Sequence, residues 1–215
     1  MKPDQATDKK RKRAPSKRSL ATRERVLDAA ELVFAHRGFD GATIRDIAAE
    51  AGEPIGTIHH HGGGKEALFQ QAVARRAETL SRARLQSLEQ AKGSGTLSLN
   101  GILDAFMRPF FALSEEEPGW RNYARLVAFV SVDDRWREIS GQCFDPTATI
   151  FIEEILLQLP HASRQQVAES FVFSVSAMLA LLTSKNRIGD LGAGGSTEQD
   201  QLAHLVRFCA AGFAS

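Results

Sequence analysis

The chain has 215 residues, 43% of them hydrophobic and 25% charged, enough to bury a core in one large domain or two smaller ones. Its net charge of +1 hides an asymmetry: residues 1–25 carry ten Lys or Arg against Asp4, Asp8 and Glu24, about +7, which leaves about −6 for the remainder. No apolar stretch follows the N-terminal positive residues and no uncharged apolar run nears a membrane span, so secretion and membrane insertion are not expected. A soluble, cytoplasmic protein is.

Two cysteines, Cys143 and Cys209, lie far apart and match neither a C-x-x-C nor a metal spacing, which fits a reducing compartment. Residues 1–18 contain the run Lys9-Lys10-Arg11-Lys12-Arg13 and then Pro15 without apolar periodicity, and are expected to form a disordered basic tail. A solvated tail and an arm lying on DNA phosphates both fit that composition.

The first helix is expected from Thr22, an N-cap, to about residue 37, with Val26, Ala29, Ala30, Val33 and Phe34 on one face and Gly38 ending it. Thr43 with Asp46 three residues on starts a second helix whose inner side is Ile44, Ile47, Ala48 and Ala51, and Gly52 stops it. Pro54 suits the first turn of a short third helix, 54–61. Lys65 opens a long fourth, to about residue 91, burying Leu68, Phe69, Ala72, Val73 and Leu80 before Gly93-Ser94-Gly95.

Beyond that break, Leu99, Leu103, Phe106 and Phe110 mark one helix, and Tyr123, Leu126, Val127 and Val130 another after Pro118. The apolar residues from Trp136 to Leu159 make a long segment interrupted at Asp145-Pro146, since proline disfavours helix before it. Ser163 with Gln166 caps a helix carrying Phe171, Val175, Met178 and Leu182. Thr197 with Asp200, after a glycine-rich loop at 189–196, starts the last one, carrying Leu202, Leu205, Val206, Cys209 and Phe213. No repeat and no convincing strand emerges.

Between 43 and 65 the chain reads T-I-R-D-I-A-A-E-A-G-E-P-I-G-T-I-H-H-H-G-G-G-K: a capped helix, a glycine, a short helix and a lysine opening a third. That is the layout of a helix-turn-helix. With the amphipathic stretch ahead of it, this segment resembles the DNA-binding domain of the TetR family of bacterial repressors. The resemblance implies an all-α fold: a three-helix helix-turn-helix domain at 19–66, joined by the long fourth helix to a larger ligand-binding and dimerisation domain within 67–215.

It also implies residue roles. Ile55, Gly56, Thr57, His59 and His60 would face base edges or the groove wall, Arg45 would sit near phosphate or base, and His61 and Lys65 would contact phosphate. Lys65, at a helix N-terminus, adds charge to free amides that already favour an anion. The family usually has a tyrosine and then an aromatic followed by Gly-Ser where this chain has His59-His60-His61-Gly62-Gly63-Gly64. A core position is thus expected to lack its plug, and the turn to be looser.

In the same family the later helices enclose an effector pocket and the last two pair with a second subunit. Phe106, Phe110, Phe111, Trp120, Tyr123, Arg125, Phe129 and Phe144 are the candidate pocket residues, with Arg108, Arg121 or Arg125 matched to a ligand carboxylate. For the homodimer interface the candidates are Phe171, Val175, Met178, Leu182, Leu202, Leu205, Val206 and Phe213. The C-terminal pattern faintly looks like fatty-acid-responsive members. The partners implied are a double-stranded operator, a small hydrophobic effector and a second copy of the chain.

Three adjacent histidines on a helix point in different directions and have no ligating acid or cysteine in spacing, so neither metal nor cofactor is expected. No catalytic signature such as G-x-S-x-G, H-E-x-x-H or a Walker loop is present. Two other readings stand beside a repressor: a nonspecific nucleic-acid binder driven by the basic tail, and a helical small-molecule-binding protein or enzyme with a vestigial reader.

Overall fold

The computed structural model describes residues 16–95, 97–192 and 195–213, so the basic run at 9–13 lies outside it. Among these residues all regular structure is helical. The first helix, α1 (Lys17–Gly41), starts earlier than the sequence suggests. Ser16 accepts from the Ser19 amide as N-cap, so Lys17 and Arg18 belong to the helix rather than to a tail, and Thr22 lies inside it. Gly38, at φ +67°, kinks the helix where its end is expected, and one further turn follows.

The capping box forms at α2 (Ile44–Ala51): the Asp46 amide donates to Thr43 Oγ1 at 3.1 Å, and the Thr43 amide donates to Asp46 Oδ2 at 3.0 Å. Gly52, left-handed at φ +62°, closes it and turns the chain into α3 (Ile55–Gly62). Pro54 is the N-cap rather than the first helical residue. The long α4 (Lys65–Gly93) then runs out of this unit into the second half of the chain.

That half comprises α5 (Leu99–Glu116), α6 (Gly119–Val132), a 3-10 turn (Asp134–Trp136), α7 (Arg137–Cys143), α8 (Asp145–Gln158), α9 (Arg164–Thr183), α10 (Lys185–Asp190) and α11 (Glu198–Phe213). The break at Asp145-Pro146 is real, with Pro146 in the first turn of α8. Both later caps form: Ser163 with Gln166, and Thr197 with Asp200. A single apolar core, from Val26 to Phe213, continues through both halves along α4.

Among the described residues, α9 is long and apolar enough by length and composition to cross a bilayer, though it holds Arg164 and Glu169 and about a third of it is buried in the protein. It has two apolar faces, one turned inward against α6, α8 and α11.

Candidate nucleic-acid interface and internal cavity

Ile58 anchors α3: it is fully buried, with Ile47 of α2 and Val26, Ala30 and Phe34 of α1 in the same core. The positions around it are therefore forced outward. Ile55, Gly56, His59 and His60 are exposed, Thr57 and His61 are half-buried, and Arg45 stands exposed on α2. Five side chains of α3, Gly56's bare backbone and Arg45 beside them thus form the rim of a short rod held by its back.

Hydrogen bonding sharpens that surface. His59 Nδ1 lies 3.1 Å from the Gly63 carbonyl, which only accepts, so Nδ1 carries the proton and Nε2 is left free for an outside partner. Among the described residues no side chain caps the first turns of α3 or α4, leaving amides there available to an anion. Lys65 is half-buried, its Nζ 4.5 Å from the Phe39 ring centroid and 3.4 Å from the Asp40 carbonyl, which fixes the ammonium beside the α4 N-terminus.

The expected gap behind the glycines is filled. Gly62 is buried, and a Cβ placed there would lie 2.7 Å from Leu68 Cδ1, so Leu68 occupies the space an aromatic would take. Gly63 adopts φ +73°, a conformation that favours glycine.

A second feature lies in the other half. A cavity of about 400 Å³ opens among α4 to α9, with Phe106, Phe110 and Phe144 on its wall, joined by Phe171, Val175 and Met178 of α9. The other candidate pocket residues sit elsewhere. Trp120 and Tyr123 pack behind Phe110, at 6.0 Å between centroids in each case, with the Tyr123 hydroxyl donating to the Val73 carbonyl at 2.8 Å. Burial pushes that phenol well above its ordinary range. Phe111 lines a smaller recess beside Leu202, Phe129 stands exposed near Gly38, and Arg125 approaches His36 on the surface.

None of the three arginines matched to a ligand carboxylate lines this cavity: Arg108 pairs with Asp104 at 2.6 Å and Arg121 with Glu198 at 2.9 Å. The wall holds a different one, Arg84 of α4, which the sequence reading passed over. Its spacing from Leu80 and Leu88 places it on the buried face, a signal that was present in the chain.

The candidate interface residues divide between the protomer's interior and its surface, with Leu205 on the wall of the groove between α9 and α11. Phe171, Met178, Leu182, Leu202, Val206 and Phe213 are all buried within the protomer, and Val175 and Leu205 are half-buried. The same helices carry another apolar face: Phe173 is 69% and Phe208 67% exposed, and Ala177, Ala180, Leu181 and Phe208 line an open groove of about 610 Å³ between α9 and α11. Apolar residues occur all round α9, so periodicity alone could not tell inside from outside.

A capped helix-turn-helix with its second helix exposed, carried by a long helix into a cavity-bearing helical body, defines a DNA-binding regulator. Residues 26–72 match the family model for bacterial regulatory proteins of the tetR family, and residues 104–212, about half of the chain, match the tetracyclin repressor-like C-terminal domain. The chain belongs to the TetR family of transcriptional regulators.

Similar proteins include the transcriptional repressor AcnR of Corynebacterium efficiens, 38% identical over 72 residues, which are 32% of this chain and 38% of that one. The chain thus spans well under two thirds of that repressor's length. The regulator LmrA of Bacillus subtilis is 27% identical across 77% of this chain and 88% of its own. Among solved structures, a TetR-like regulator from Rhodococcus sp. RHA1 shares the fold with a TM-score of 0.62 at 22% identity, covering 93% of this chain and 97% of that one.

Proposed function

We propose that the chain is a homodimeric repressor that reads a double-stranded operator with α3 and leaves it when a small, largely apolar effector enters the cavity among α4 to α9. It acts in the bacterial cytoplasm as a binding protein rather than an enzyme. The observation that carries this reading is the exposed rim of α3, with Ile58 and Gly62 buried behind it.

Dimerisation through the exposed face of α9 and α11 would cover Phe173, Leu181 and Phe208, and a two-fold pair sets recognition helices in successive major grooves about 34 Å apart. His59, His60 and Thr57 then supply base-edge or groove-wall contacts, Arg45, His61 and Lys65 the phosphate contacts.

Beside α4, a second link between the two halves is the 3-10 turn. Ser131, Ser140 and Phe144 line the cavity on either side of it, while Trp136 within it packs on Phe39 and Phe69, at 4.8 and 4.4 Å between centroids. Arg135 bridges Asp40 and Asp133, at 2.9 and 2.7 Å. An effector that moves α6 and α7 would therefore tilt the reader and change its spacing in the dimer, lowering operator affinity.

The test is selection of bound DNA from random sequence, then fluorescence anisotropy on the selected site and a shuffled control. Preference for the selected site by the chain lacking residues 1–15 supports a reader, and loss of nearly all affinity on that deletion supports tail-driven binding. Lys65→Ala is expected to weaken binding and to reduce the salt-dependence slope by about one.

A further inference from the structure

Two arginines of α4 are buried, and they are held in opposite ways. Arg76 donates to Glu31 at 2.8 Å and to Glu117 at 2.7 Å, so its charge is answered twice. Arg84, two turns on and 6% exposed, meets no carboxylate within 4.0 Å among the described residues. Its Nε donates to the Phe106 carbonyl at 2.9 Å, in the turn of α5 that precedes Pro109. Nη2 has only the Met178 sulfur, at 3.8 Å, and Nη1 makes no hydrogen bond to the described residues.

The guanidinium carbon lies 3.7 Å from the Phe106 ring centroid and 5.8 Å from that of Phe110. These stacking contacts orient the plane but leave the two Nη groups without an oxygen acceptor. Burial pulls the group down to about 9, so it still carries its charge at neutral pH. An uncompensated buried cation is costly, and one N–H to a carbonyl does not require an arginine. The remaining donors sit on the wall of the cavity of about 400 Å³.

Resting on the reading of that cavity as the effector site, we infer that its ligand is an amphipathic monoanion, a carboxylic acid whose head meets Arg84 and whose apolar body lies among Phe106, Phe110, Phe144, Ile152 and Phe171. The fork of Nη1 and Nη2 matches a carboxylate in a bidentate pair. A polyanion does not fit: Arg84 is the only Lys, Arg or His on the lining, and the lining also contains Asp145, an exposed carboxylate that would repel further negative charge. Hydroxyls of Ser131, Ser140, Thr149 and Ser176 add polar contacts without charge.

A straight alkyl acid and an aryl-alkyl acid share this chemistry, so the probes separate them. Calorimetric titration of the full chain compares octanoate with octanol and phenylbutyrate with phenylbutanol. At least one acid is expected to bind about ten-fold or more tightly than its alcohol, as a charged hydrogen-bonded pair would give. Which acid does so identifies the body. Arg84→Met should abolish that preference while alcohol binding persists, with an unchanged or higher Tm because an unpaired buried charge is gone, and Arg84→Lys should keep part of it.

Equal binding of acid and alcohol, a preference surviving in Arg84→Met, or no binding of any probe would overturn the inference. Should Arg84→Met not fold, the wild-type comparison of acid with alcohol decides alone. Operator anisotropy with the same probes separates the two readings, because an alcohol that binds and releases DNA as well as its acid sinks the anion while leaving the repressor intact.

Discussion

Gly62 shows how a single residue can be traded against a neighbour. With no side chain of its own, it lets the fully buried Leu68 fold back over the end of α3, where Cδ1, Cγ and Cβ stand 2.7, 3.2 and 3.3 Å from the missing Cβ. Gly62→Ala therefore overpacks the reader and is expected to cost about 1–3 kcal/mol. Leu68→Ala opens a hole at the same spot, so the double variant should be less destabilised than the sum, by roughly 0.5 kcal/mol or more. Urea midpoints of the four proteins check it, and simple additivity would show that the two sites do not meet.

At Glu31 the effect is electrostatic. Burial raises its carboxyl above the ordinary 4.5 although Arg76 lies against it, whereas Glu117, exposed and sharing the same arginine, is lowered. Arg76 itself is held charged from both sides. A raised carboxyl contributes stability that is present below 4.5 and is lost as pH rises through the raised value, while Glu117 has the opposite sign and loses its contribution as pH falls below 4.5. Glu31→Gln is expected to remove the first slope, so the stability of wild type minus variant should decline from pH 4.5 upward. A difference that rises with pH in chemical denaturation would refute the assignment.

Among elements, the 3-10 turn Asp134–Trp136 packs on the reader beside the cavity wall, as α4 does along its length. Its Trp136 closes an aromatic cluster with Phe39 and Phe69, and Arg135 lies over the Phe39 ring at 5.7 Å. Removing Arg135 breaks its exposed pairs with Asp40 and Asp133 without opening the core, so Arg135→Ala should fold normally. Effector affinity should stay as it is while the drop in operator affinity on effector binding shrinks. Calorimetry and anisotropy on the same variant test this, and an undiminished drop would take the turn out of the coupling route.

How far such elements could be read beforehand depended on whether local chemistry sufficed. The caps at Thr43 and Ser163, the turn at Gly52 and the break at Pro146 are set by nearest neighbours, and the chain spells them out. The early start of α1 did not announce itself because Ser16 is followed by polar residues with no apolar period. Facing was harder still. In α9, Phe171 and Phe173 differ only in which side meets α6 and α11, and tertiary packing alone decides it. Arg84 escaped notice for the converse reason: a cation on an apolar face reads as solvated until the helices close around it.

For the whole molecule, the question is what covers the outer face of α9 and α11. Phe173 and Phe208 leave more than half of their surface bare, Phe208 on the wall of an apolar groove of about 610 Å³ and Phe173 on a separate recess near Pro160, and exposed apolar area of that kind marks a contact site. If a second copy fills it, then Phe208→Glu places a carboxylate in a desolvated interface and should yield a monomer. The fold should be unaffected, since Phe208 touches solvent in the protomer. Each monomer would read only half a site. Linked half-sites gain from an effective concentration in the millimolar range, so operator affinity should fall roughly 100-fold or more while the salt slope per protomer remains. Light scattering gives the mass and anisotropy the affinity. A dimer that persists in both Phe208→Glu and Phe173→Glu would move the interface elsewhere, and with it the spacing of the two reading helices on which the proposed release by an effector rests.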